Sequence, residues 1–141
     1  MKKYIASLVV GLILLMGSGT RAEEAKDIPP RLVAETFLTA VGHGDVDAAV
    51  DTLTVGTFMT GKQKQLATAR EQIKAIPGLY GKYLASEFIK QQDVGASITN
   101  LVYVTKYEQH FISWSFTFYK PGRRWILDSF RWSDTAEGLG I

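Results

Sequence analysis

Between Ile112 and Phe118 every second residue is large and apolar: Ile112, Trp114, Phe116 and Phe118 alternate with Ser113, Ser115 and Thr117. A period of two is that of a β-strand, and a strand with four bulky side chains on one face must bury that face. The rest of the chain therefore has to supply a second layer to cover it.

Pro121-Gly122 follows as a turn signal, and a second apolar segment runs from Arg123 to Ser133. With Pro121-Gly122 at the centre of a tight turn, Tyr119 faces Arg124, Phe118 faces Trp125, Phe116 faces Leu127 and Trp114 faces Ser129. Ile112, Trp114, Phe116, Phe118, Trp125 and Leu127 then form the core face. The other face carries Ser113, Ser115, Thr117, Tyr119, Arg124 and Asp128, with Ile126, Phe130 and Trp132 among them. Two earlier strands are expected over about Lys82–Gln91 and Ser97–Tyr107, from their β-branched and aromatic content. The turn near Glu108 and Gln109 does not set a register. Either Val102 and Val104 or Leu101 and Tyr103 join the core face.

The covering layer comes from the first half. Val33, Ala34, Phe37, Leu38 and Val41 form one helical stripe, ended by Gly42 and Gly44 and started near Pro29-Pro30. Asp45 caps a second helix with Val46, Ala49, Val50 and Leu53 on one side. A third runs from about Lys62 to Ile76 with Leu66, Ala69, Ile73 and Ile76 inward, and Pro77-Gly78 is expected to stop it. Thr54 to Gly61 has no clear period. The fold class is α+β: a helical hairpin and a third helix on a strongly curved antiparallel sheet of about four strands.

The first residues are of another kind. Lys2 and Lys3, an apolar run from Ile5 to Met16, small residues and Thr20-Arg21-Ala22 make a signal peptide over residues 1–22. The run has about 12 residues where a helix needs roughly 20 to span a bilayer, so no permanent membrane anchor is expected. Cleavage is expected after Ala22, with Gly19 as the alternative point, and leaves one domain over residues 23–141, periplasmic or secreted. There is no cysteine, so neither lipidation nor disulfides can hold it, and its core must. Removing Lys2, Lys3 and Arg21 from 16 basic residues leaves 13 against 14 acidic ones. A domain so nearly neutral has no electrostatic reason to bind nucleic acid or anionic lipid.

Val33–Val41 with Gly44-Asp45-Val46-Asp47-Ala48-Ala49-Val50, then the closing Arg124–Trp132 strand, resembles the nuclear transport factor 2-like superfamily over nearly all of the mature chain. The resemblance implies a cone with an interior pocket, often paired into a homodimer through the outer sheet face. Its members include isomerases, dehydratases, hydrolases and small exported domains, so the fold alone assigns no activity.

Enzymes of this superfamily hold a carboxylate or histidine in the pocket as general base. His43 and His110 read as solvent-facing. Asp128, the one acid within the last apolar strand, is a weak catalytic candidate: in the register above it points away from the core beside Ser113 and Ser115. That favours a solvated or dimer-interface role. Ser129 and Arg131 continue the core-facing row toward a pocket mouth, where Arg131 could meet an anionic ligand; a pair with Glu87 or an exposed strand end is its alternative. Phe37, Tyr83, Trp114, Phe116 and Trp125 could line an apolar pocket, or simply pack. No metal is expected, with two histidines and no cysteine, and no cofactor, without a Gly-rich phosphate loop or nucleophile motif. The leading expectation is an exported, non-enzymatic domain binding a small amphipathic molecule or a protein partner. An acid–base isomerase or dehydratase and a dimerisation module are the alternatives.

Overall fold

The computed structural model describes residues 27–54 and 61–140. The expected leader with its cleavage point, and most of Thr54–Gly61, lie outside them. Three helices, α1 (Pro30–Gly42), α2 (Val46–Thr54) and α3 (Gln63–Tyr80), precede four strands: β1 (Tyr83–Val94), β2 (Ile98–Tyr107), β3 (Phe111–Tyr119) and β4 (Ile126–Ser133). A 3₁₀ turn, Ala136–Leu139, follows. The sheet is antiparallel and curved, in the order β1-β2-β3-β4.

The helices form where the stripes place them. Pro30 opens α1, and Ala34, Phe37, Leu38 and Val41 are its buried side. Gly44 takes φ 74°, a left-handed conformation that lets the chain reverse. Asp45 Oδ1 then accepts the Ala48 N–H at 3.0 Å and caps α2. Asp47 pairs with Arg70 at 2.8 Å and ties α2 to α3.

α3 does not stop at Pro77; it runs on to Tyr80. Proline removes one helical donor, but the final turn is anchored by other bonds. The Gly81 N–H reaches the Pro77 carbonyl at 2.9 Å, and the Gln109 N–H reaches that of Tyr80 at 3.0 Å. The Tyr80 hydroxyl donates to Asp134 Oδ2 at 2.6 Å.

The open register between β2 and β3 is settled by Leu101 opposite Phe116 and Tyr103 opposite Trp114. Leu101 and Tyr103 therefore share the core face, and Val102 and Val104 stand over Ser115 and Ser113. Phe37 lies edge-on to Trp114 and Phe116, with centroids 5.2 and 5.5 Å away. Phe37 and Trp114 are both fully buried, and the indole N–H of Trp114 donates to Thr105 Oγ1 at 2.9 Å.

The expected register of the last hairpin is wrong in two respects. Lys120–Trp125 is a six-residue loop rather than a tight turn, so Tyr119 faces Ile126 and Phe118 faces Leu127. A shift of two positions leaves every side chain on its expected face. A bulge at Asp128 then reverses the rest: Thr117 faces Ser129, Phe116 faces Phe130, Ser115 faces Arg131 and Trp114 faces Trp132. Phe130 and Trp132 thus lie on the core side, while Ser129 and Arg131 move to the outer face. Hydrophobic burial explains the bulge, because an unbroken ladder would turn Ser129 and Arg131 inward and two aromatic rings out to water.

The C-terminal tail folds back over the outer face, where a side chain on Gly138 would run into Ser113 Oγ and come within 2.8 Å of Ser133 Cβ. Trp114→Ala is expected to lower unfolding stability by about 3–5 kcal/mol. Urea denaturation of residues 23–141 checks this, and a loss below about 1 kcal/mol would mean that the indole is not central to the core.

Candidate functional site

The side chains expected to form one pocket fall in separate places. Phe37 packs against both Trp114 and Phe116 inside the core, and none of the three lines any of the three surface clefts described below. Tyr83 packs its ring edge-on to Tyr107 at 5.9 Å and lies against the backbone of Gly42, where an added Cβ would sit 2.7 Å from the ring. Trp125 borders a cleft of about 370 Å³ at the start of α1, with Pro29, Arg31, Asp93 and Thr99. Its backbone N–H donates to Asp27 Oδ1 at 3.2 Å.

Within that cleft Asp93 accepts the Thr99 hydroxyl at 2.7 Å and the Gln91 amide at 3.0 Å. These two donors, the hydroxyl foremost, hold its carboxyl below the usual range. Asp128 is exposed at the bulge and makes no hydrogen bond or ion pair among the described residues. Glu87 pairs with Lys106 at 3.4 Å rather than with Arg131.

Two carboxylate–phenol contacts do form, neither of them anticipated from the sequence. The Tyr103 hydroxyl donates to Glu35 Oε1 at 3.1 Å, and Arg31 pairs with the same oxygen at 3.1 Å. Arg31 also lies 4.3 Å over the Phe88 ring. Burial is the main reason that Tyr103 is pushed above the ordinary phenol value. Glu35 is half-exposed and satisfied by a cation, so this group ties α1 to β2 and β1 rather than presenting a free base. The Tyr80–Asp134 contact likewise ties the end of α3 to the end of β4, with His110 against the Tyr80 ring.

Ser129 and Arg131 border the largest of the three clefts, about 640 Å³ between α3 and β4. Lys62, Lys64, Thr68 and Gln72 form its helical wall, and Phe130 and Trp132 supply apolar surface. Gln72 Oε1 accepts the Trp132 indole N–H at 3.1 Å and fixes the ring. Arg131 also borders a shallower cleft of about 420 Å³ on the outer sheet face, with Ser115, Asn100 and the tail. A cleft with aromatic surface and a few polar groups is suited to an amphipathic ligand, and about 640 Å³ lies within the range of such sites. Lys64, Thr68 and Gln72 recur at four-residue intervals on the polar side of α3. That spacing was readable in the sequence, but nothing there showed what would face it.

No protein-family model and no curated protein matches the chain. Among solved structures, a putative calcium/calmodulin-dependent protein kinase type II association domain from Thiobacillus denitrificans is similar, with a TM-score of 0.54 at 11% identity. The match covers 78% of this chain and 98% of that one. That neighbour has the nuclear transport factor 2-like fold, and the chain described here shares it.

The lowered Asp93 value has a definite consequence for acid stability. A carboxyl depressed in the folded state adds stability above its unfolded value, about 3.9, and that stability disappears as pH falls through the folded value. Thr99→Val, which removes the main donor, is therefore expected to destabilise the protein more at pH 7 than at pH 2.5. Urea unfolding at the two pH values measures this, and an equal loss at both would refute the assignment.

Proposed function

We propose that the protein is an exported, non-enzymatic binding domain that takes an amphipathic partner in the α3–β4 cleft. The observation that carries this reading is the partly exposed aromatic surface of Phe130 and Trp132 beside Arg131 and Lys64, in a cleft of ligand size. The exposed, unpartnered position of Asp128 supports binding over acid–base catalysis, since a general base must lie within reach of a bound substrate. Export rests on the leader, and the secreted or periplasmic form is expected to begin at Glu23 by intact mass.

Binding is tested with the neutral dye N-phenyl-1-naphthylamine, whose fluorescence rises in apolar surroundings. Trp132→Ala is expected to weaken its binding roughly tenfold, the loss of one aromatic contact surface. Unchanged binding in that variant would place the dye elsewhere and refute this cleft.

Self-association is a second reading, favoured by the structural neighbour's description as an association domain. The outer sheet face would carry it, though without Phe130 and Trp132, which lie on the other side. Light scattering after size exclusion decides it, and a monomer at micromolar concentration would contradict it.

A further inference from the structure

β4 stands at an edge of the sheet, with β3 on one side and no strand on the other among the described residues. Outside the β3 ladder, Ser129, Phe130, Arg131 and Trp132 make no backbone hydrogen bond there. All four border the α3–β4 cleft. Side chains of successive strand residues point to opposite faces. Four consecutive residues can border one cleft only if it runs along the edge of the strand rather than over either face. Opposite that edge stand Lys64, Thr68 and Gln72, about one per turn of α3. The cleft is therefore a trough between a helix and an open row of backbone donors and acceptors.

Its charge is of one sign. Lys62, Lys64 and Arg131 border it, and among the described residues no carboxylate does. The first turn of α3 contains no acid to offset the positive end of the helix dipole. The Arg131 guanidinium has no hydrogen-bond or ion-pair partner among the described residues. A bulge and a cation on an edge strand discourage pairing with another copy of the same edge. They leave it open to a chain of opposite charge.

We infer that the occupant of this cleft is an extended, acidic segment of a partner protein that adds to β4 as a fifth strand. This deepens the binding reading above and rests on it. Backbone hydrogen bonds to the β4 edge supply the affinity, apolar side chains of the segment rest on Phe130 and Trp132, and its carboxylates meet Lys64 and Arg131.

The test uses residues 23–141 and three peptides: acetyl-Glu-Val-Glu-Thr-Glu-Val-amide, its lysine-for-glutamate counterpart, and the acidic peptide N-methylated at alternate residues. Displacement of N-phenyl-1-naphthylamine and amide exchange at residues 129–132 are followed together. The acidic peptide is expected to displace the dye and to slow exchange at the alternate amides among them that face the open edge rather than β3. The lysine and N-methylated peptides are expected to bind roughly tenfold more weakly or worse, through lost charge pairing and lost ladder bonds respectively. Arg131→Glu, on an exposed residue, is expected to reduce the preference for the acidic peptide. Equal binding of the lysine or N-methylated peptide would overturn the inference, as would a dye that binds but that no peptide displaces. Dye that fails to bind while the acidic peptide still slows exchange would refute the apolar surface and leave the edge site standing.

Discussion

The arrangement depends on the burial of Trp114. Its indole is wholly enclosed, so the ring N–H needs a partner, and Thr105 on the neighbouring strand is that partner. Phe37 from α1 presses edge-on against the same ring. One side chain thereby fixes the β2–β3 register and the seat of α1. A slip of one residue would bring Ser113 and Ser115 inward and leave both the ring and its donor exposed.

The bulge at Asp128 carries that constraint to the last strand. Leu127, Phe130 and Trp132 are spaced so that no unbroken strand can place all three on one face; one extra residue between the first two can. The polar Asp128 is that residue, and it projects to solvent. The same event moves Ser129 and Arg131 outward and leaves Trp132 at the rim, held by Gln72 of α3. The cleft is thus a consequence of finishing the core, and its cations lie where the ladder has been forced to change faces.

Much of this was readable from residue order. The stripe of α1 and the inward residues of α2 and α3 follow from spacing alone, as do four strands with boundaries near those observed. What was not readable was cooperative. Whether Pro77 ends α3 depends on Tyr80 meeting Asp134, 54 residues away. The face of Arg131 depends on whether burying two rings outweighs an irregular ladder, a comparison that needs the opposite strand. Phe37 and Trp114 read from sequence as either pocket lining or core, and they are core, because helix and sheet close upon them. The carboxylate–phenol contact of Glu35 and Tyr103 spans 68 residues and left no local signal.

The central claim is that Asp128 interrupts the β3–β4 ladder and thereby sets both the core and the cleft. Cross-strand nuclear Overhauser effects on labelled protein address it directly. The account predicts backbone contacts joining Trp114 to Trp132, Phe116 to Phe130 and Phe118 to Leu127, with one residue skipped between the last two pairs. A continuous ladder joining Phe116 to Leu127 and Trp114 to Ser129 would contradict it.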